Sequence, residues 1–173
     1  VRFAESTADV TANLIDGVGG SVTSAKRRGH TVFPGVHGFE TSVALMSVAP
    51  VVSVVLGTAA GGPAGRAMLS HWSLMVKDNS QVFAAGPPVV ERSLGHKISK
   101  EELGGAQVAV AQAGSIDNVA GSEAECFELI RRYLSYMPTN VWELPPALPC
   151  DDPVDRRDEA LASIVPKNRK KPY

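Results

Sequence analysis

The sequence predicts an α/β fold, because short apolar segments alternate with glycine-containing turns and amphipathic segments along the chain. The segment Val51 to Leu56 is almost wholly apolar and rich in β-branched residues, which is typical of a parallel strand covered on both faces. It runs into a turn that ends at Gly61-Gly62, and Pro63 is well placed for the first turn of a helix. Strand, glycine turn and helix, repeated with short links, indicate right-handed β-α-β units.

The elements around this segment follow from the same periodicities. Strands are predicted where apolar runs end at turn residues, and helices where apolar residues recur every three or four positions. The break at Ala49-Pro50 separates one helix from the strand that follows it. The predicted ranges are Ala12–Asp16 (strand), His37–Val48 (helix), Pro63–Ser70 (helix), Trp72–Val76 (strand) and Gln81–Ala84 (strand).

Two further helices are predicted from capping boxes, in which a serine and a glutamate three residues later each satisfy a backbone amide of the other. Ser99 with Glu102 opens a short helix, which Gly104-Gly105 ends. Ser122 with Glu125 opens the longest helix, which extends to about Met137. One face of this helix is apolar and includes Cys126, Leu129, Ile130 and Tyr133.

The bulk composition of this 173-residue chain, 44% hydrophobic and 20% charged, is that of an ordinary globular protein. A net charge of −1 argues against broad electrostatic binding to nucleic acid or to anionic lipid. No apolar run reaches the ~18 residues that a membrane-spanning helix needs. Cys126 and Cys150 fit reduced thiols, so we expect a cytoplasmic protein, or one of the mitochondrial matrix if the source is eukaryotic.

One folded unit is expected over residues 1–138, followed by an extended arm over residues 139–173. The arm carries prolines at 145, 146, 149 and 153 among charged residues and has no sustained period. The chain begins at Val1 without a methionine and ends at Tyr173 after this irregular stretch, which suggests a piece of a longer polypeptide.

Three glycine pairs, at 19-20, 61-62 and 104-105, punctuate the chain. The first two follow predicted strands, where α/β sheets bind ligands and where N–H groups at a helix start suit an anion. A tight turn without any ligand explains the same spacing equally well. Dinucleotide, P-loop and serine-hydrolase patterns do not match, the histidines have no metal-ligand spacing, and no side chain stands out as nucleophile or base.

Longer strings carry a more specific signal, from about Asn13 to the end of the chain. They closely resemble the carboxyltransferase (β) subunit of biotin-dependent acyl-CoA carboxylases of the propionyl-CoA, methylcrotonyl-CoA and broader acyl-CoA types, and also related acyl-CoA decarboxylases. The strings are LIDGVGGSV (Leu14–Val22), PVVSVVLGTAAGGPAGRA (Pro50–Ala67), SLMVKDNSQVFAAGPPVV (Ser73–Val90), SKEELGGA (Ser99–Ala106), RRYLSYMPTN (Arg131–Asn140) and DDPVDRRDEALASIVPKNRKKPY (Asp151–Tyr173).

The resemblance implies a crotonase-like fold of stacked β-β-α units, of which this chain is part of the N-terminal, acyl-CoA-binding half. The arm then leads toward a missing C-terminal domain that binds biotin. The implied function is that of an enzyme component that binds acyl-CoA and stabilises its enolate through a backbone oxyanion hole, while CO₂ is transferred from carboxybiotin. Biotin is implied on a separate subunit or domain, and the implied partners are a biotin carboxylase or biotin carrier subunit and further copies of the chain in a hexamer.

The resemblance also implies site residues by position. Gly61 and Gly62 match the glycine pair whose amides hold the thioester carbonyl, which makes them the candidate catalytic residues. Gly19 and Gly20 match an earlier glycine loop that lines the CoA site. Ala60 and Pro63 flank the central pair and are the remaining candidate acyl-CoA contacts.

The chain departs from the family pattern at two places. Pro63 removes one amide and Arg66 is bulky, where many relatives read CAGGAVYSPA, and the run Gln107–Val110 lacks a histidine that relatives carry. Three alternatives stay open: a non-catalytic acyl-CoA-binding or assembly fragment, a biotin-dependent decarboxylase subunit, and a hydratase or isomerase of the same fold. The last needs glutamates near the glycine loops, and none lies between Gly57 and Ser70.

Overall fold

The computed structural model describes residues 11–18, 22–29, 37–138, 143–168 and 170. A parallel sheet covered by helices lies within them, so the predicted α/β fold is confirmed. The strands are β1 (Thr11–Gly17), β2 (Val51–Ala60), β3 (Trp72–Val76), β4 (Gln81–Phe83) and β5 (Asn118–Ala120). The helices are α1 (Val22–Arg28), α2 (His37–Met46), α3 (Gly62–Met68), α4 (Pro87–Leu94), α5 (Lys100–Gly104) and α6 (Glu123–Leu134), with a π-helix at Gln107–Gln112 and a 3₁₀ helix at Glu159–Ser163.

Strand β2 organises the sheet, whose order is β1-β2-β3-β5 with β4 also paired to β2. Residues 52–55 of β2 pair with β3, whereas residues 58–60 pair with β4, and all of these pairs are parallel. The exchange of partners occurs around Gly57, where an added Cβ would overlap the carboxylate of Asp16. The register between β1 and β2 shifts at the same point, so the strand bends where its outer partner changes.

The core lies on both faces of the sheet, because β2 is buried on both sides. One cluster packs α3 and the π-helix against the sheet and includes Val55, Met75 and Ile116. The other packs α6 against the opposite face and includes Val54, Leu74 and Cys126. Burial of β-branched side chains on alternating faces explains why the Val51–Leu56 run forms a central strand.

Several predicted elements differ from the observed ones in extent. Helix α2 ends at Met46 rather than Val48, and α6 ends at Leu134 rather than near Met137. The capping box at Ser99 and Glu102 is complete. At α6 only the serine half forms, since the Glu125 carboxylate accepts from the amide of Gly121, 2.7 Å away, instead of from Ser122.

The described part of the arm has little regular structure. Side chains from residue 143 to residue 165 are all exposed, and the 3₁₀ helix at Glu159–Ser163 contributes no buried residue. The domain boundary at residue 138 stays a prediction. Within the described residues, none of the helices has the length and apolar character required to cross a membrane.

Candidate functional site

The central glycine pair lies where β2 ends and α3 begins, as the sequence predicts. Gly61 is the N-cap of α3 and adopts a positive φ of 67°, which an L-amino acid side chain strongly disfavours. Gly62 is the first residue of the helix and is exposed, and an added Cβ there would meet nothing within 4 Å. Pro63 sits in the first turn, where its missing N–H breaks no helical hydrogen bond.

The two amides of the pair are not equivalent. The N–H of Gly61 donates to the carbonyl oxygen of Phe83 over 3.1 Å, which extends the β2–β4 pairing by one residue. The carbonyl of Gly61 in turn accepts from the N–H of Gly65 at 3.0 Å and closes the first helical turn. Among the described residues, the N–H of Gly62 has no acceptor, whereas the N–H of Gly61 is already bonded. The catalytic role of the pair stays a prediction.

Small buried side chains pack beneath the glycine loop. Ala59, Ala64 and Ala67 are buried beneath it, and their small side chains let α3 approach the sheet closely. A Cβ added to Gly17 would lie 3.3 Å from the ring of Pro63, so the carboxyl end of β1 reaches the start of α3. Gly17 therefore lies beside Pro63, whereas Gly19 and Gly20 lie outside the described residues.

Residues in and after β4 lie beside the glycine loop, a contact that the sequence does not predict. Phe83 accepts from Gly61, and the carbonyl oxygen of Ala84 lies 3.7 Å from the position of a Cβ on Gly61. The string QVFAA was recognisable as a short strand, but its pairing to the end of β2 has no local sequence signal. The candidate Ala60 is partly buried in the β2–β4 pairing, opposite Phe83.

A polar chain runs along the same edge of the sheet. The Thr58 hydroxyl donates to Gln81 Oε1 at 2.8 Å, and Gln81 Nε2 donates to Glu101 at 3.2 Å. Lys100 Nζ lies 3.4 Å from the same hydroxyl, which places one ammonium group near the end of β2. These groups pair with each other, so none of them is an evident general base for the loop.

The groups whose pKa values are shifted take part in packing or helix capping. Burial raises the pKa of the Cys126 thiol and of the Tyr133 phenol, both of which pack between α6 and the sheet. Hydrogen bonds from Ser99 lower the pKa of Glu102 at the start of α5. The chemistry available at Gly61-Gly62 is therefore that of backbone donors rather than of side chains.

Neither of two cavities coincides with the glycine loop. One of about 350 Å³ lies between α2, α3 and the starts of β1 and β2, and one of about 310 Å³ lies near Pro50, His71 and Tyr133. At the loop itself, Gly62 is exposed and Gly61 and Pro63 are partly buried. Within the described residues no three histidine, cysteine, aspartate or glutamate side chains are grouped as metal ligands.

Comparison with known proteins relates this geometry to a family. The model of the carboxyl transferase domain matches residues 14–173. The chain is 33% identical over 135 residues to the propionyl-CoA carboxylase beta chain of Roseobacter denitrificans, covering 78% of this chain and 26% of that protein. It is 36% identical over 126 residues to the methylmalonyl-CoA decarboxylase subunit alpha of Veillonella parvula, covering 73% and 25%.

A solved structure matches almost the whole chain. Transcarboxylase 12S, described as a hexamer with hydrolysed methylmalonyl-coenzyme A bound, superposes with a TM-score of 0.71 and 27% identity over 99% of this chain and 33% of its own. This likeness confirms the expected crotonase-like fold, of which the chain contains a part. The chain spans about a quarter of the length of the curated relatives it matches. Because the domain match extends from Leu14 to the end, the chain belongs to the carboxyl transferase domain family.

Proposed function

We propose that this chain is part of the carboxyltransferase component of a biotin-dependent acyl-CoA carboxylase, and that it binds the acyl-CoA. The observation that carries the proposal is the amide of Gly62, which lacks an acceptor among the described residues at the end of a strand in a carboxyl transferase domain. A donor fixed at that position suits the thioester oxygen, which becomes negative as the enolate forms.

In this proposal each residue of the loop has its own role. Gly62 donates to the oxygen of the thioester, and the absence of its side chain lets that oxygen approach. Gly61 provides the sharp turn and is held by Phe83, which keeps the Gly62 amide in one orientation. Ala60 and Pro63 border the acyl group, and Gly19 and Gly20 line the CoA moiety. The start of a short helix adds a partial positive charge at the same place.

Biotin is the cofactor that the family implies, and its carboxylated form would supply CO₂ to the enolate when bound. The edge at Gly62 is exposed and open, which fits a biotin that is delivered on a different chain or domain to the face of a bound acyl-CoA. We therefore propose a biotin carrier or biotin carboxylase subunit as partner, and a homo-hexameric assembly as in the family. The buried thiol of Cys126 is compatible with a reducing compartment such as the cytoplasm or the mitochondrial matrix.

Decarboxylation is the second candidate, and the identity to a methylmalonyl-CoA decarboxylase subunit favours it specifically. Loss of CO₂ from a carboxylated acyl-CoA passes through the same enolate, so the Gly62 donor serves either direction. Assays of the longer parent enzyme in both directions, with acyl-CoA plus a carboxylated biotin carrier or with methylmalonyl-CoA plus biotin, identify the one that dominates.

The loop assignment is tested by Gly62→Val in the longer parent enzyme. The added side chain blocks the thioester oxygen, so we expect kcat/KM to fall about 10²–10³-fold, while CoA affinity changes less because the nucleotide binds elsewhere. Gly86→Ala is the matched control, since a Cβ there makes only ordinary contacts, 3.5 Å from the Phe83 ring. Normal turnover in a Gly62→Val variant with an unchanged melting temperature would show that the loop does not bind the thioester oxygen.

A further inference from the structure

The ring of Phe39, from the first turn of α2, packs on α3 where Gly65 has no side chain. A Cβ on Gly65 would lie 3.1 Å from Phe39 Cε1 and 3.2 Å from Phe39 Cζ, so a larger residue at this position would displace the ring. The guanidinium of Arg66 lies 6.0 Å from the ring centroid. Phe39 is nevertheless 38% exposed, so part of its apolar surface is uncovered within the described chain.

Helix geometry brings this ring close to the glycine loop. Gly61 and Gly65 lie on one face of α3, because residues four apart are neighbours along a helix, and the amide of Gly65 donates to the carbonyl of Gly61 at 3.0 Å. Cα–Cβ bonds tilt toward the start of a helix, so a ring that contacts the Cβ position of Gly65 lies on the side of the loop. The ring is therefore about one helical turn, 5.4 Å, from Gly61 and Gly62.

Open space separates the ring from the proposed donor to the thioester. Among the described residues, a Cβ on Gly62 would meet nothing within 4 Å, so Phe39 borders the loop without filling the space beside it. The phenyl ring has neither a donor nor an acceptor, and it therefore matches an alkyl chain better than the amides and phosphates of CoA. An extended alkyl chain that crosses about one helical turn has about four to six carbons.

We propose that Phe39 is a specificity-determining residue of the acyl-CoA site, and that the site takes a linear acyl group of about four to six carbons whose end packs against this ring. The inference rests on the proposed acyl-CoA-binding function and on a thioester oxygen at Gly62. The enolate forms at the α-carbon, next to the thioester. A contact at the far end of the acyl chain therefore selects the substrate without touching the reacting atoms.

The test is a calorimetric titration of the 173-residue chain with CoA and with propionyl-, butyryl- and hexanoyl-CoA. In the wild type we expect Kd to fall about two- to fourfold for each added methylene, because each one buries apolar surface against the ring. In Phe39→Ala we expect propionyl- and hexanoyl-CoA to bind within about twofold of each other, with the Kd of CoA unchanged. Val43→Ala is the matched control and keeps the wild-type dependence, because Val43 is an exposed apolar residue one turn further along α2.

NMR of the wild-type chain saturated with hexanoyl-CoA gives a readout that needs no variant, namely NOEs from the hexanoyl methyl group to the Phe39 ring. Their absence, a wild-type Kd that does not depend on chain length, or a dependence that persists in folded Phe39→Ala overturns the inference. An equal loss of CoA and thioester binding in Phe39→Ala also overturns it, since the ring then contacts the CoA moiety. If neither CoA nor any thioester binds to the wild type, the proposed function itself fails. Binding that is equal across the acyl series removes only the role of Phe39.

Discussion

At the scale of single residues, Gly61 and Gly62 are adjacent glycines with different reasons for lacking a side chain. Gly61 needs its positive φ of 67°, whereas the space around Gly62 is open. We expect Gly61→Ala to lower the free energy of unfolding by about 1–3 kcal/mol because of backbone strain. Gly62→Ala is expected to change it by less than about 0.5 kcal/mol. Urea denaturation of both variants measures the difference, and equal losses would contradict the backbone assignment of Gly61.

At the scale of elements, the cap of α5 links stability to pH. The Ser99 hydroxyl and backbone amide both donate to Glu102, which is why the pKa of this carboxyl is lowered. A lowered folded-state pKa means that this stabilisation is present above the ordinary pKa of glutamate and is lost as the pH falls through the lowered value. In Ser99→Ala we expect the pKa of Glu102 to rise toward its ordinary value. Loss of the serine N-cap itself is expected to lower the free energy of unfolding by about 1 kcal/mol.

Carbon-detected NMR titration of the Glu102 carboxyl checks this expectation. Ser122→Ala is the matched comparison, because α6 has the serine cap but its Glu125 accepts from Gly121 instead. A similar loss of stability without a change in the Glu102 pKa is expected there. An unchanged Glu102 titration in Ser99→Ala would show that the capping box does not form in solution.

The contact between α5 and β4 predicts that a side chain on Gly104 destabilises the protein. A side chain on Gly104 would overlap the carbonyl of Val82 in β4, so the helix cannot keep its position against the strand. We expect Gly104→Val to destabilise the protein by about 1–3 kcal/mol or more, as in other overpacked cores. Thermal melts with Gly62→Ala as control provide the measurement. An unchanged melting temperature would show that α5 does not pack against Val82 in this way.

Elements with a strong local signal were predictable from the sequence, and elements that depend on neighbours were not. The β-branched run of β2 and the Ser99–Glu102 cap carry their own evidence. Strand β5 contains a single β-branched residue, Val119, and exists because it pairs with β3. The π-helix at 107–112 likewise has no local sequence signal. The glycine loop was predicted, but the bond from Gly61 to Phe83 joins positions far apart in the chain and could not be.

At the scale of the whole molecule, the described residues hold one proposed donor and no general acid or base beside it. We therefore expect the 173-residue chain alone not to carboxylate acyl-CoA above background when it is mixed with acyl-CoA and free carboxybiotin. A complete biotin-dependent acyl-CoA carboxylase is the positive control. Radiolabelled bicarbonate incorporated into carboxybiotin allows transfer to acyl-CoA to be measured, and turnover by the chain alone would refute the need for a second half.

Strand β2 has a consequence for the energetics of any ligand at its carboxyl end. The amides and carbonyls of residues 52–55 are held by β1 and β3 on either side, and residues 58–60 are held by β4. Amide protons in such a central strand exchange with solvent mainly when the whole domain unfolds. The Gly62 amide follows this hydrogen-bonded segment and the Gly61–Phe83 bond. Its orientation is consequently set during folding, and little conformational entropy remains to be lost when an oxygen binds there.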